Sequence, residues 1–336
     1  MRNATLKDVA AAAGLGVSTA SYVLSGSGLN KVGVETAKRI REIAEKLNYR
    51  PNSVARELKS GQSRLIALLV SGVNYSFMPD LLQEIEEVLA DNHYNALFSI
   101  YRTPDEFAER CRNIAQQRIA GGIVSTAGNA KLLKNIEHYF PGIPWMVCSS
   151  KTSDAYPAVW VPPEEVGRIG LDLLYRNNHR RIACFDNASD RWSEAKSAAG
   201  KYHANVDDIV WLESEYSHIE NVWKELDAIK KHTPEKYPTA IFFPGDNEAV
   251  EFMSICRRRN IRVPEDISIL SVNGSPLCQW VTPHLTSIAQ PRGEQGTLAV
   301  ERLLDWIKTG IRPETLELHC SIQEGQSIRT LPAIQS

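Results

Sequence analysis

From residue 65 onward the chain keeps one rhythm, and that rhythm restricts its fold more than any other feature. Short apolar runs at 65–70, 96–100, 122–124 and 144–148 are separated by amphipathic stretches at 80–92, 104–118 and 131–140. The rhythm resumes with apolar runs at 182–185, 209–212, 240–243 and 267–272. Apolar runs of strand length alternating with stretches of helical period are the mark of βαβ units, whose parallel sheets are covered on both faces. Two such sets predict two lobes. Open sheets of this kind take ligands beyond the C-terminal ends of their strands, so two facing lobes would form a cleft there.

The first fifty residues follow the helical period instead. Leu6, Val9, Ala10 and Ala13 make an apolar stripe, Thr5 stands ahead of it as N-cap, and Asp8 is placed to complete a capping box. Gly14-Leu15-Gly16 breaks that helix. A second helix is predicted over 17–24, with Ala20, Val23 and Leu24 inward. A third is predicted over 34–48, with Gly33 at its N-cap and Ala37, Ile40, Ala44 and Leu47 inward. Two short helices joined by a glycine turn and braced by a third are a helix-turn-helix, whose second helix enters the major groove of DNA. The outer face of that helix carries Ser18, Ser21, Tyr22 and Ser25 and no charge. Val17 suits a thymine methyl and Ser18 a base edge, but the face has no Arg, Lys, Asn or Gln, so direct readout is expected to be modest. Thr5, Leu6 and Thr19 complete the candidate contacts of the head. Beyond Arg50-Pro51-Asn52, residues 53–61 read as one short helix stopped by Gly61. So short a helix does not persist alone in water, and a twin copy or DNA must order it.

Charge follows the same division. The 336 residues carry a net charge of −2. Residues 1–64 hold 11 Lys+Arg against 5 Asp+Glu, a net of +6, and the remainder holds 27 against 35, a net of −8. A basic head on an acidic body suits a module that binds a polyanion. The six cysteines form no CxxC pair and read as reduced, buried thiols rather than a disulfide frame or a zinc site. No apolar run is long enough for a bilayer and the first residues lack a signal-peptide pattern, so a cytoplasmic protein without membrane contact is expected. Glycine-rich nucleotide loops, the G-x-S-x-G elbow and H-E-x-x-H are all missing. No enzyme, metal or cofactor is therefore expected, and His179 reads as structural.

The motifs T-L-K-D-V-A-x-x-A-G at 5–14, S-x-V-L-S-G at 21–26, V-x-V-E-T at 32–36 and L-N-Y-R-P-N-S-V-A-R-x-L-K at 47–59 resemble the lactose-repressor (LacI/GalR) family. The likeness continues at 179–183, 263–268 and 285–291. It implies an all-α head over 1–50, a hinge helix and linker over 51–62, and a periplasmic-binding-protein-like core of two doubly wound parallel sheets over 63–336. The first lobe is expected over about 63–161 plus 291–323, and the second over 162–290 plus 324–336. The resemblance also implies a homodimer on a pseudo-palindromic DNA operator, most often as a repressor, with a small molecule in the core changing the affinity. Asn52, Ala55, Leu58 and Lys59 would then act on DNA from the hinge, with Leu58 wedged into the minor groove. The family's tetramers add a C-terminal leucine-repeat helix; no heptads follow residue 327 here, so a dimer is expected.

The effector motifs depart from the family. The usual Asp-Arg after the fourth strand is Ser149-Ser150, and R-x-x-G appears as Ser197-Ala198-Ala199-Gly200. A-N-D becomes Pro244-Gly245-Asp246, G-F-D-D becomes Ser271-Val272-Asn273-Gly274, and the Asp-Asn opening the second lobe becomes Pro162-Pro163. Ser149, Ser197, Asp246 and Asn273 remain as polar candidates, with a cap of the following helix as the other reading of Asp246, and Tyr75, Phe77, Trp192 and Trp280 are aromatic ones, with packing at a lobe edge as the other reading of each. With so few polar arms, an effector other than a simple free hexose is expected. The alternative is a core switched by a partner protein, its cleft vestigial.

Overall fold

In the computed structural model the described residues are 4–25, 32–49, 63–72, 78–125, 129–149, 154–185, 209–215 and 218–332. The chain divides into two compact units, 1–63 and 64–336.

Among its described residues the first unit is helical: α1 (Leu6–Ala13), α2 (Val17–Ser25) and α3 (Val34–Lys46). Thr5 opens α1 with the expected capping box, its N–H donating to the Asp8 carboxylate at 2.8 Å and its hydroxyl accepting from the Asp8 N–H at 3.4 Å. Gly14, at φ 65°, ends α1 in a left-handed conformation that favours glycine. Val9, Ala10, Ala13, Ala20, Val23, Ala37, Ile40 and Ala44 form the core. Arg39 Nη2 donates to the Ala13 carbonyl at 2.8 Å and so ties α3 to the end of α1. Leu47 is not inward as expected but 38% exposed. The helix stops at Lys46 and Asn48 turns left-handed at φ 48°, which takes Leu47 off the stripe; Ile43 and Tyr49 pack there instead.

The described residues of the second unit form two six-stranded sheets. The first contains β1 (Leu65–Val70), β2 (Asn95–Ile100), β3 (Gly121–Val124), β4 (Trp145–Ser149), β5 (Ala158–Trp160) and β11 (Leu316–Glu317). The second contains β6 (Ile182–Phe185), β7 (Ile209–Leu212), β8 (Ala240–Phe242), β9 (Ser268–Asn273), β10 (Thr286–Ala289) and β12 (Ser321–Gln323). Their orders are β11-β5-β4-β3-β1-β2 and β12-β10-β9-β8-β6-β7, all parallel except β10 with β12. Among the described helices, α4 (Met78–Asp91), α5 (Pro104–Ile114) and α6 (Leu133–Tyr139) alternate with the first strands. Then come α7 (Pro163–Arg176), α8 (Ile219–His232), α9 (Asp246–Arg258), α10 (Leu277–Trp280) and α11 (Arg292–Thr309). The protein is α/β, with a helix-turn-helix head preceding two parallel-dominated sheets in sequence.

Each sheet has one point where the strand order reverses, between β1 and β3 and between β6 and β8. The chain crosses between sheets after β5, after β10 and after β11. The last crossing comes earlier than expected: β12, placed by sequence in the first lobe, pairs antiparallel with β10 of the second. Leu318 N–H, just before that crossing, donates to the Trp160 carbonyl of the first sheet at 2.8 Å.

Candidate functional site

The head presents its second helix outward. Val17 is 43% and Tyr22 44% exposed, Ser18 is exposed, and Ser21 and Thr19 are half-buried. Thr5 is exposed and Leu6 half-buried at the start of α1. Burial of Ala20 and Val23 fixes this orientation, because residues three and four apart share a face of a helix. The result is a neutral ridge of hydroxyls with one apolar and one aromatic side chain. Such a ridge can approach base edges without desolvating a charge. Asn52, Ala55, Leu58 and Lys59 lie outside the described residues.

In the core, the reversal points lie where a ligand is expected. At the first, Tyr101 closes the strand ends: its hydroxyl donates to the Ser125 carbonyl beyond β3 at 2.6 Å, and it is 4% exposed. Burial, offset in part by a hydrogen bond with the Ser71 side chain beyond β1, pushes its pKa well up. Sequence reasoning did not find Tyr101; the aromatic residues it named there, Tyr75 and Phe77, lie outside the described residues, as do Trp192 and Ser197. Ser149 ends β4, its backbone in register with Trp160.

At the second reversal point Phe185 and Phe243 meet, ring centroids 5.3 Å apart and both fully buried. Asp246, expected to face an effector, is instead sealed inside at 0% exposure. Its carboxylate accepts from Ser271 Oγ at 2.6 Å, Ser287 Oγ at 2.8 Å and the Ser275 N–H at 2.7 Å. The buried Cys278 thiol lies beside it, raised to about 12 by burial and then by the Asp246 charge. Asp246 is the first residue of α9, after the N-cap Gly245, and at that position its side chain turns in toward β9 and β10. It knits the loop between them rather than opening onto a cleft.

Asn273 ends β9, 8% exposed and at φ 116°. Its Oδ1 accepts from Gln290 Nε2 at 3.1 Å. Two residues beyond Asp246, the half-buried Glu248 folds back over Gly245. Its pKa is raised by burial, offset in part by a hydrogen bond to its own backbone, and raised further by the nearby Asp246 and Glu251 charges. Neither Glu248 nor Gln290 was among the sequence candidates; the G-x-x-E spacing of a helix start was the signal for the first. Trp280, the remaining aromatic candidate, is 76% exposed on α10, and an indole so open to water does not enclose a ligand. His179, by contrast, is structural: fully buried, with its ring nitrogens on Thr239 Oγ1 at 2.9 Å and the Arg329 carbonyl at 3.0 Å. Among the described residues no His, Cys, Asp and Glu cluster could hold a metal ion, and no helix is long and apolar enough to cross a membrane.

Comparison with known proteins places both units. Residues 5–52 match the model for bacterial regulatory proteins, lacI family, and residues 171–328 that for a periplasmic binding protein-like domain. The HTH-type transcriptional repressor PurR of Aliivibrio fischeri (strain MJ11) is 30% identical over 317 residues, covering 91% of this chain and 92% of that protein. PurR of Vibrio cholerae serotype O1 (strain M66-2) is 28% identical over 341 residues, covering 98% and 99%. Among solved structures, the lac repressor dimer bound to operator and the anti-inducer ONPF aligns with a TM-score of 0.82 at 21% identity, covering 98% of this chain and all of that one. The CelR–cellobiose complex aligns with a TM-score of 0.67 at 21% identity, covering 96% and 99%.

Proposed function

The chain belongs to the lacI family of bacterial regulatory proteins, and from that premise we propose that it is a homodimeric repressor whose grip on a pseudo-palindromic operator is set by a small molecule in the core. It is a DNA-binding transcription regulator, related to repressors and not to enzymes. The observation that carries the finer reading is the outward face of α2, neutral, rich in hydroxyls and bearing exposed Val17 and Tyr22. Two such heads on one duplex read two half-sites related by a dyad. The basic excess of the head supplies the sequence-independent attraction.

A second copy finds support in the core. Phe98, 42% exposed, lies on the edge strand β2, and Trp280 is exposed on α10. Large aromatic groups left open on a single chain suit an interface between copies. Leu58 of the hinge acts, in this reading, as an apolar wedge that unstacks a pyrimidine–purine step at the operator centre. The effector is a small molecule other than a free hexose, because Asp246 is spent internally and Asn273 keeps few hydrogen bonds to offer.

Selection of bound sequences from a random duplex pool by the full-length protein tests this reading. An inverted repeat protected symmetrically in footprinting is the expected result. An unrepeated site, or no sequence enrichment, would overturn it.

A further inference from the structure

The starts of β6, β8 and β9 form one edge of the second sheet, at the opposite end of the strands from the reversal point. In a βαβ unit the helix runs back against the strands, so α8 and α9 end at this same edge, beside the starts of β8 and β9. Residues 227–236 and 257–266, together with Arg181, place eight Lys and Arg there against four carboxylates, a net of +4 where residues 65–336 as a whole carry −8. The patch is continuous. Arg259 reaches from the end of α9 to α8, its guanidinium 4.6 Å from the Trp223 ring centre and 3.1 Å from Asp227. Close to one turn further along α8, Lys230 Nζ stands 5.4 Å from the Tyr237 ring centre, and Arg181 Nε donates to the Tyr237 carbonyl at 2.9 Å. Asp227 and Asp266 are engaged by Arg259 and Arg262, the latter at 2.6 Å. The surplus therefore rests on Arg181, Lys230, Lys231, Lys236, Arg257 and Arg258, all exposed.

A helix C-terminus attracts cations through its dipole, within its last turn. That attraction does not account for this edge. α4 ends beside β2 at the matching edge of the first sheet, and its last turn holds no basic residue and closes on Asp91. Arg181, Lys236 and Arg262 also come four or five residues past the ends of α7, α8 and α9, outside the turn in which a dipole is felt. Because β6, β8 and β9 are neighbours, their three loops cross the edge within about 10 Å. The surface itself discriminates between partners. None of the exposed large apolar side chains of the described residues lies in these segments. A protein interface keeps an apolar core and is depleted in lysine, whereas a nucleic-acid interface is polar and strongly positive. The Tyr237 ring is half-buried with Lys230 over it, so it offers no open face on which a base of a single strand could stack. We propose that this edge of the core is a second DNA contact, which takes the phosphates of a duplex without reading its sequence and lets the protein hold a segment besides the one its head reads.

A random-sequence duplex fixed to beads, loaded with the full-length protein and offered a second, labelled random duplex, is the test. At about 50 mM salt the wild type is expected to capture the second duplex, and to release it steeply as salt rises. The variant K230Q/K231Q/R257Q/R258Q is changed only at exposed positions, so it should melt as the wild type does and stay on the beads through its head. It is expected to capture at least ~10-fold less of the second duplex, with a log–log salt slope lower by about 3–4. K230Q/K231Q, altered on α8 alone, should lose about half of that slope. Bridging by two heads would survive these changes, so a variant that captures as much as the wild type would overturn the proposal. No capture by the wild type would overturn it too. So would poly-glutamate displacing the labelled duplex at a lower charge concentration than unlabelled duplex does, because the edge would then be a site for an acidic protein.

Discussion

Serine does opposite work in the two units. In the head, Ser18 stands exposed on α2 and Ser21 half-buried beside it, on a face with no charge. In the core, Ser271 and Ser287 are fully buried and give their hydroxyls to the Asp246 carboxylate. A hydroxyl on a neutral exposed face is available to a partner. A hydroxyl within reach of a buried carboxylate is already bound. The difference lies in what surrounds the residue, and it teaches that counting polar side chains in a motif does not count the hydrogen bonds a ligand can have.

The comparison breaks most visibly at Asp246. Asp246→Ala strands two serine hydroxyls and one backbone N–H inside the core, and unfolding by urea should show a loss of about 3–5 kcal/mol. The isolated head sequence is untouched by this change. If Asp246→Ala left stability intact and abolished effector binding, the carboxylate would be a ligand group after all.

His179 sharpens the same point by pH. Burial lowers its pKa to about 4 from an ordinary 6.5, so the folded protein holds it neutral. Between those values the unfolded chain binds the proton and the folded one does not. Stability from this residue is therefore complete above about 6.5 and lost as pH falls toward 4, by at most about 3 kcal/mol. His179→Gln should flatten that part of the stability profile; an unchanged slope would show that other groups set it.

On the DNA side the effects are smaller in energy and leave stability alone. Leu58→Ala should weaken operator binding more than tenfold, upwards of about 1.4 kcal/mol, and abolish the bend without moving the melting temperature. A variant that melts earlier and bends DNA normally would make Leu58 a packing residue. Tyr22→Ala should cost about 1 kcal/mol on the operator and relax preference at one or two positions in each half-site. Selection from the random pool with this variant would return an unchanged motif if α2 faced elsewhere.

The strands were the most legible part of the sequence. The runs at 65–70, 182–185 and 209–212 match β1, β6 and β7 residue for residue, because strands of a parallel sheet covered on both faces read as unbroken apolar stretches. The capping box of Thr5 was legible for a similarly local reason. The site was less so. The motif at 244–246 says that a carboxylate is present; only the start of α9 at Asp246 decides that this one turns inward and that Glu248 comes back over Gly245. Gln290 was named only within a family motif, since its role depends on β9 and β10 lying side by side. β12 was placed on the wrong lobe because three residues of an edge strand carry no pattern that names their partner.

The central claim is that two copies of the head read one dyadic DNA site. Fluorescence anisotropy of the full-length protein on a duplex from the random-pool selection and on its scrambled counterpart, with sedimentation of each complex, tests it most directly. The expected result is two chains per duplex and a preference of at least ~10³ for the selected sequence at physiological salt. Equal affinity for the two duplexes, or one chain bound per site, would contradict it.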